Sequence, residues 1–233
     1  MTFQGYEMTQ NVNEGMTTKA RSRGFRTERC PVCSLPLVNC VCSQLKQASS
    51  NIHIVLLRHL SEAVRPSGTG FLALYCIQSS ELLLPTDLDA FLAKHAHEKM
   101  ALLFPPDGAE AMPDSAKVLL DTCTQPKGIP VQTLIVPDGS WQEARRMVRK
   151  HALLRSLPRV SPQMLTRWID NPLRSDKWVR PCTAEAIGQW LQEREQQAAA
   201  EALRISLRAF VDAHWKARGV KLDVMQNAGD VDQ

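Results

Sequence analysis

Pro137-Asp138-Gly139-Ser140-Trp141-Gln142-Glu143-Ala144-Arg145-Arg146 is the stretch on which the fold turns. It follows Val131-Gln132-Thr133-Leu134-Ile135-Val136, an apolar and partly β-branched run of strand length, and precedes residues whose apolar positions recur with helical spacing. The order is therefore strand, sharp turn, helix start. Ser140 and Glu143 fit a capping box, in which the serine oxygen accepts the N3 amide proton and the glutamate accepts the N-cap amide proton. Gly139 is expected to let the backbone turn without a β-carbon clash. That leaves the Asp138 carboxylate at the carboxyl end of a strand, where open α/β sheets bind ligands.

Working outward, the same alternation repeats. Strands are predicted at 52–57, 81–84, 100–104 and 131–136, with a short edge strand or connection at 158–162. Helices are predicted at 70–76, from Thr86 through His95, at 115–121, 141–151, from Thr183, and at 198–215. The fold class is α/β, a mostly parallel sheet covered by helices. A long irregular stretch, Met164 to Pro181, carries Trp168 and Trp178 among arginines; satellite core and stacking on unpaired bases both remain open for these rings. The chain divides into a polar leader (1–18), a basic segment with four cysteines (19–48), the α/β domain (49–218) and a polar tail (219–233).

At 233 residues, 44% of them hydrophobic, the chain is long enough to bury a core. It has no run near the roughly 18 apolar residues of a membrane span and no apolar signal-type core at its start. The expectation is a soluble, cytoplasmic protein with no membrane partner, monomeric or homodimeric. A formal charge of +4 is mild, but its distribution is uneven. Arg145, Arg146, Arg149, Lys150, Arg155, Arg159, Arg167, Arg174, Lys177 and Arg180 face only Asp170 and Asp176, and Lys19, Arg21, Arg23, Arg26 and Arg29 precede the first cysteine. Such stretches suit a polyanion, or are two solvated faces.

Cys30, Cys33, Cys40 and Cys42 crowd together, with Pro31 and Pro36 tightening the turns. Cys-x2-Cys is half of a zinc knuckle, and the second pair supplies two more thiolates for a tetrahedral site; free thiols or a redox pair are the alternative. Cys76, Cys123 and Cys182 stand alone and read as packing residues.

Segments after Leu57, after Phe104, after Val136 and before Thr183 are expected to meet at one edge of the sheet. Thr69 and Gly70 (with Gly68) allow close backbone approach, Phe104 and Pro105 offer an apolar wall, and Cys182, Thr183, Ala184 and Glu185 open a helix whose N-terminus favours a carboxylate. These features suit a ligand with a carboxylate, a base and a ribose, such as S-adenosylmethionine; a plain turn is the alternative, because no Gly-x-Gly-x-x-Gly fingerprint is present. Asp138 is a general base or a helix cap, and Trp141 a stacking wall or a core anchor.

Asp138-x-Ser140-Trp141 with Glu143-Ala144-Arg145 resembles the signature of the DTW-domain family, the tRNA-uridine aminocarboxypropyltransferases. Cys30-Pro-Val-Cys33 with Cys40-Val-Cys42, Arg65-Pro-Ser-Gly-Thr-Gly70 and Pro181-Cys-Thr-Ala-Glu-Ala186 agree with it in order. The resemblance implies a SPOUT-like sheet with a C-terminal trefoil knot and a small N-terminal zinc knuckle. It also implies transfer of the 3-amino-3-carboxypropyl group of S-adenosylmethionine to N3 of a tRNA uridine, in the variable loop, leaving methylthioadenosine. Asp138, Ser140 and Trp141 match the catalytic motif. Thr69, Gly70, Phe104, Pro105, Asp138, Gly139, Ser140, Trp141, Cys182, Thr183, Ala184 and Glu185 fall on the cofactor side, the four cysteines on structural zinc. Arg65, Arg145, Arg146, Arg149 and Lys150 are the candidates for RNA contact. The chain departs from the family pattern at Ser140, where threonine is usual, at Gly68, where relatives carry asparagine, and at Phe71, where arginine is frequent. A SPOUT-type tRNA methyltransferase and a non-catalytic zinc-knuckle RNA-binding protein are the alternative readings.

Overall fold

The computed structural model describes residues 27–105, 130–163, 168–169 and 181–219. The leader, the basic run from Lys19 to Arg26, the helix expected at 115–121, Cys123, Trp178 with most of its basic neighbours, and the tail from 220 lie outside the described residues.

Among the described residues five strands form one sheet: β1 (His53–Arg58), β2 (Ser80–Leu83), β3 (Met100–Leu103), β4 (Thr133–Asp138) and β5 (Arg159–Val160). Their order is β2-β1-β4-β3-β5 and every pairing is parallel. Every residue of β4 is buried, as expected of a central strand covered on both faces. It begins two residues later than expected and runs through Pro137 into Asp138. Proline is tolerated there because pairing with β3 ends at Leu102–Ile135, so the missing N–H interrupts no ladder. On the other side β1 continues alongside, placing Leu57 opposite Pro137 and Arg58 opposite Asp138.

The period of two sorts the strands between two apolar layers. Ile54, Leu56, Leu134 and Val136 face a cluster with α1 (Phe71–Cys76), α5 (Thr183–Glu193) and α6 (Gln197–Ala217), in which Trp190 and Phe210 are fully buried. Val55, Leu57, Leu102, Phe104 and Ile135 face α2 (Leu88–Lys94), α3 (Trp141–Lys150) and α4 (Ala152–Ser156). The helix after β1 therefore covers one face and the helix after β4 the other, which opens a crevice at the carboxyl ends of these two adjacent strands.

Two helix starts differ from expectation. Thr86 does not cap α2; its hydroxyl bonds to Asp87, and Asp87 occupies the N-cap position without a side-chain cap bond. Thr183 is the first helical residue of α5 and Cys182 its N-cap, which frees the Thr183 hydroxyl for a tertiary contact.

The cysteine segment is not a separate body. Cys30, Cys33, Leu35 and Val41 belong to the same apolar cluster as α1, α5 and α6. Beyond it the chain is strapped to α6, the Lys46 amide donating to Ser206 Oγ at 2.9 Å. The expected knot depends on the full path of the chain, of which 106–129, 164–167 and 170–180 lie outside the described residues. No helix among the described residues is long and apolar enough to cross a membrane.

Candidate functional site

Asp138 ends β4 with its side chain on the α1/α5 face and 1% exposed. Its Oδ1 accepts the Thr183 hydroxyl at 3.0 Å. Its Oδ2 lies 3.5 Å from Arg58 Nε, the register partner on β1. Burial raises its carboxyl above the ordinary range, with the Arg58 charge and the Thr183 hydrogen bond opposing. Gly70, at the N-terminus of α1, touches the carboxylate so closely that a β-carbon there would overlap both oxygens. The hydrogen bonds thus run from helix to strand end, with the carboxylate held as a tertiary group and not as a cap of its own helix.

The cap of α3 is Ser140, whose Oγ accepts from the Glu143 amide (3.4 Å) while Glu143 Oε2 accepts from the Ser140 amide (2.8 Å). Glu143 also accepts from Ser61 Oγ at 2.7 Å and from both Arg65 guanidinium nitrogens at 2.8 and 2.9 Å. Burial works against its ionised form, but Ser140, Ser61 and Arg65 together hold its carboxyl well below the usual range. Arg65 is in turn bound to Glu62 at 2.9 Å, so this motif arginine is committed to two carboxylates. Gly139 has no positive φ. Its small size serves close approach instead, since a β-carbon would meet Glu143 at 3.2 Å and His59 at 3.3 Å.

The expected cofactor-side residues fall into two groups. Thr69, Gly70, Asp138, Cys182, Thr183 and Ala184 meet on the α1/α5 face, where the Ala184 amide donates to Thr69 Oγ1 at 3.4 Å. Phe104 and Trp141 meet on the other face, their rings stacked at 5.0 Å and 5°; Arg159 lies 5.8 Å over the Phe104 ring and reaches toward the Pro105 carbonyl. The start of α5 is already served from within. Glu185 accepts from the Cys182 amide at 2.7 Å and from the Trp168 and Ile169 amides at 2.9 and 3.3 Å, so it clamps the preceding segment. Burial, with Glu185 adding to it, pushes the Cys182 thiol up to about 12, which suits a packing residue. The six-membered ring of Trp168 abuts Gly188 and packs, partly buried, against the α1/α5/α6 cluster, favouring its satellite-core reading.

Arg58 and Glu62, which the motifs do not include, complete the site beside the motif residue Arg65. Arg58, Glu62 and Arg65 line a cavity of about 70 Å³ with Asp138, Gly68, Gly70 and the knuckle residues Pro31 to Ser34. A charged residue closing the apolar run at 52–57 was the available signal for Arg58. On α3, Arg146, Arg149 and Lys150 are exposed and Arg145 is half-buried.

The four cysteine sulfurs lie within 4.8 Å of one another, with Cys30–Cys42 at 3.5 Å and Cys33–Cys40 at 3.9 Å. Thiolates about 2.3 Å from a tetrahedral zinc stand about 3.8 Å apart, so the donor set fits that ion, and the separations are far too long for disulfides. Burial raises the Cys30 thiol, but the Cys33 and Val32 amides together with hydrogen bonds from Cys40 and Cys42 bring the group down to about 7. Bound there, zinc would be structural, because four thiolates leave no position for a reactant.

No solved structure matches the chain. The family model described as the DTW domain matches residues 27–214, a span that begins just before the four cysteines and takes in Asp138, the residues opposite it on β1 and the start of α5. With this match over most of its length and the signature carboxylate at a strand end beside a crevice, the chain belongs to the DTW-domain family, which is associated with tRNA-modifying enzymes.

Proposed function

We propose that the protein transfers the 3-amino-3-carboxypropyl group of S-adenosylmethionine to N3 of a uridine in tRNA and releases methylthioadenosine. The observation that carries this reading is Asp138: a buried carboxylate at the crevice, in contact with Gly70 and Thr183 from the two other signature stretches. A uridine N3–H is weakly acidic and must lose its proton before the nitrogen can attack. A carboxyl raised by burial is, once ionised, a stronger proton acceptor than an exposed one.

A sulfonium donor offers three carbons, and the product depends on which lies in line with the nucleophile. In this reading the chain's task is positional. Thr69, Gly70, Thr183 and Ala184 shape the wall beside Asp138, the Phe104–Trp141 pair shapes the other, and Glu143 with Arg65 locks the segment between β1 and α1 to the start of α3. The exposed Arg146, Arg149 and Lys150 share a helix with the signature and supply phosphate contacts for tRNA. Because a target base must leave its stack to be reached, an unpaired loop uridine such as one in the variable loop is the expected acceptor.

The test is mass spectrometry of nucleosides from tRNA incubated with the full chain and S-adenosylmethionine. The expected product is a uridine carrying the aminocarboxypropyl group, with methylthioadenosine released in equal amount. S-adenosylhomocysteine with a methylated base, or no modified nucleoside from any tRNA, overturns the reading.

A further inference from the structure

Two buried polar atoms of opposite character lie side by side at the crevice. Arg58 Nε–H is a donor, Asp138 Oδ2 an acceptor, and they stand 3.5 Å apart as an ion pair. Beyond this long contact neither atom has a hydrogen-bond partner among the described residues. Buried polar groups are seldom left so, and an orphaned pair calls for an explanation. The β1–β4 register puts both side chains on one face, and both line the 70 Å³ cavity. At 10–15 Å³ of such space per water, that is room for on the order of five waters, comparable to a pyrimidine ring.

The charges around the cavity select its occupant. Arg58 and Arg65 are balanced by Asp138 and Glu62, and Glu143 already occupies Arg65. A carboxylate or phosphate would meet two acidic groups and an ammonium two guanidinium groups. A neutral ligand presenting a donor next to an acceptor satisfies both orphaned atoms.

We propose that this cavity seats the imide edge of the acceptor uracil, Asp138 Oδ2 accepting N3–H and Arg58 Nε–H donating to an adjacent ring carbonyl, with Pro31–Ser34 of the cysteine knuckle as the outer wall. The assignment rests on the proposed transfer to a uridine and makes Arg58 its specificity residue. The N3 proton passes to Asp138, the freed N3 electron pair forms the new nitrogen–carbon bond, and the carbon–sulfur bond breaks with its electrons returning to sulfur as a neutral thioether. Cytosine is rejected because its unprotonated N3 turns a lone pair toward the carboxylate.

The experiment compares Arg58→Met and Arg58→Lys with the wild-type full chain, using unmodified tRNA transcripts and S-adenosylmethionine. Donor binding by calorimetry is expected to stay unchanged while kcat/KM for tRNA falls roughly 10–100-fold, a loss that raising the pH does not restore. Transcripts carrying 4-thiouridine at the acceptor position are expected to photo-crosslink to peptides within 30–34 or 58–70. Arg58 acting only on the charge of Asp138 predicts recovery at higher pH, and that recovery, wild-type kcat/KM in Arg58→Met, or crosslinks confined to other peptides each overturns the proposal. If Arg58→Met fails to fold, Arg58→Lys and the crosslinks decide. A wild-type chain that modifies no tRNA sinks the transfer reading itself; an active one indifferent to Arg58 sinks only the seat.

Discussion

Gly70 lies in contact with the Asp138 carboxylate, with no space between them for a β-carbon. The aspartate cannot retreat easily, because Thr183 holds one oxygen and its backbone is the end of a central strand whose carbonyl accepts from the His59 amide at 2.8 Å. Gly70→Ala is therefore expected to displace the carboxylate, lowering kcat/KM by about 100-fold while costing only about 1–3 kcal/mol of stability. Urea unfolding beside steady-state kinetics checks both parts. A variant of normal activity would show that the carboxylate position is not critical.

Asp138→Asn separates function from stability. A carboxyl whose folded pKa is raised contributes stability that is fully present below its unfolded value of about 3.8 and is lost as pH rises through the folded value. Wherever the group is ionised in the folded chain it is thus a burden, and the asparagine variant is expected to melt no lower than wild type while losing transfer. On acidification from neutrality the wild type should gain stability relative to the variant, and its activity should fall at a pH above the ordinary carboxylate range. Paired thermal melts and a pH–rate profile test this; an activity limb at an unshifted carboxylate pKa would refute it.

Glu143 behaves in the opposite sense. Its depressed pKa contributes stability present above the unfolded value of 4.5 and lost as pH falls through the lower folded value. Glu143→Gln keeps an acceptor for the Ser140 amide but loses the charge and one of the two oxygens that accept from Ser61 and Arg65, so it is expected to cost about 2–3 kcal/mol near neutral pH. The difference from wild type should shrink below about pH 4. Denaturant titrations at both pH values measure it.

The cysteine cluster should hold zinc in stoichiometric amount, detectable by elemental analysis. Cys33→Ser, which removes a buried ligand, is expected to abolish retention and lower the melting temperature, because the segment shares the core with α6. Pro31 to Ser34 line the cavity beside Asp138, so tRNA turnover should fall with it. Full turnover by metal-free protein would make the cluster dispensable.

Arg146→Ala/Arg149→Ala/Lys150→Ala removes exposed charge without touching the core. It is expected to weaken tRNA binding uniformly and to reduce the slope of log affinity against log salt by roughly 0.7–0.9 for each phosphate that is no longer neutralised, while donor binding stays the same. Filter binding over a salt series reads the slope directly.

Much of this architecture could be read from local patterns. Largely apolar runs at 52–57, 100–104 and 131–136 mark strands, Ser140 and Glu143 mark a helix start, and the cysteine spacing marks a metal-type cluster, because each is set by residues close in the chain. Even there the limits were local ones: Pro137 stays in its strand only because β3 has already stopped pairing, and Thr183 is released from capping because Cys182 takes that place.

What the residues alone determined is a mostly parallel α/β sheet with a carboxylate at the end of one strand. Tertiary structure alone decided what surrounds that carboxylate. Strand register put Arg58 opposite Asp138, burial in the shared core brought the knuckle to the cavity, and the period of two sent Phe104 and Trp141 to the opposite face. These relationships join residues tens of positions apart through sheet pairing and packing, which no short-range spacing encodes.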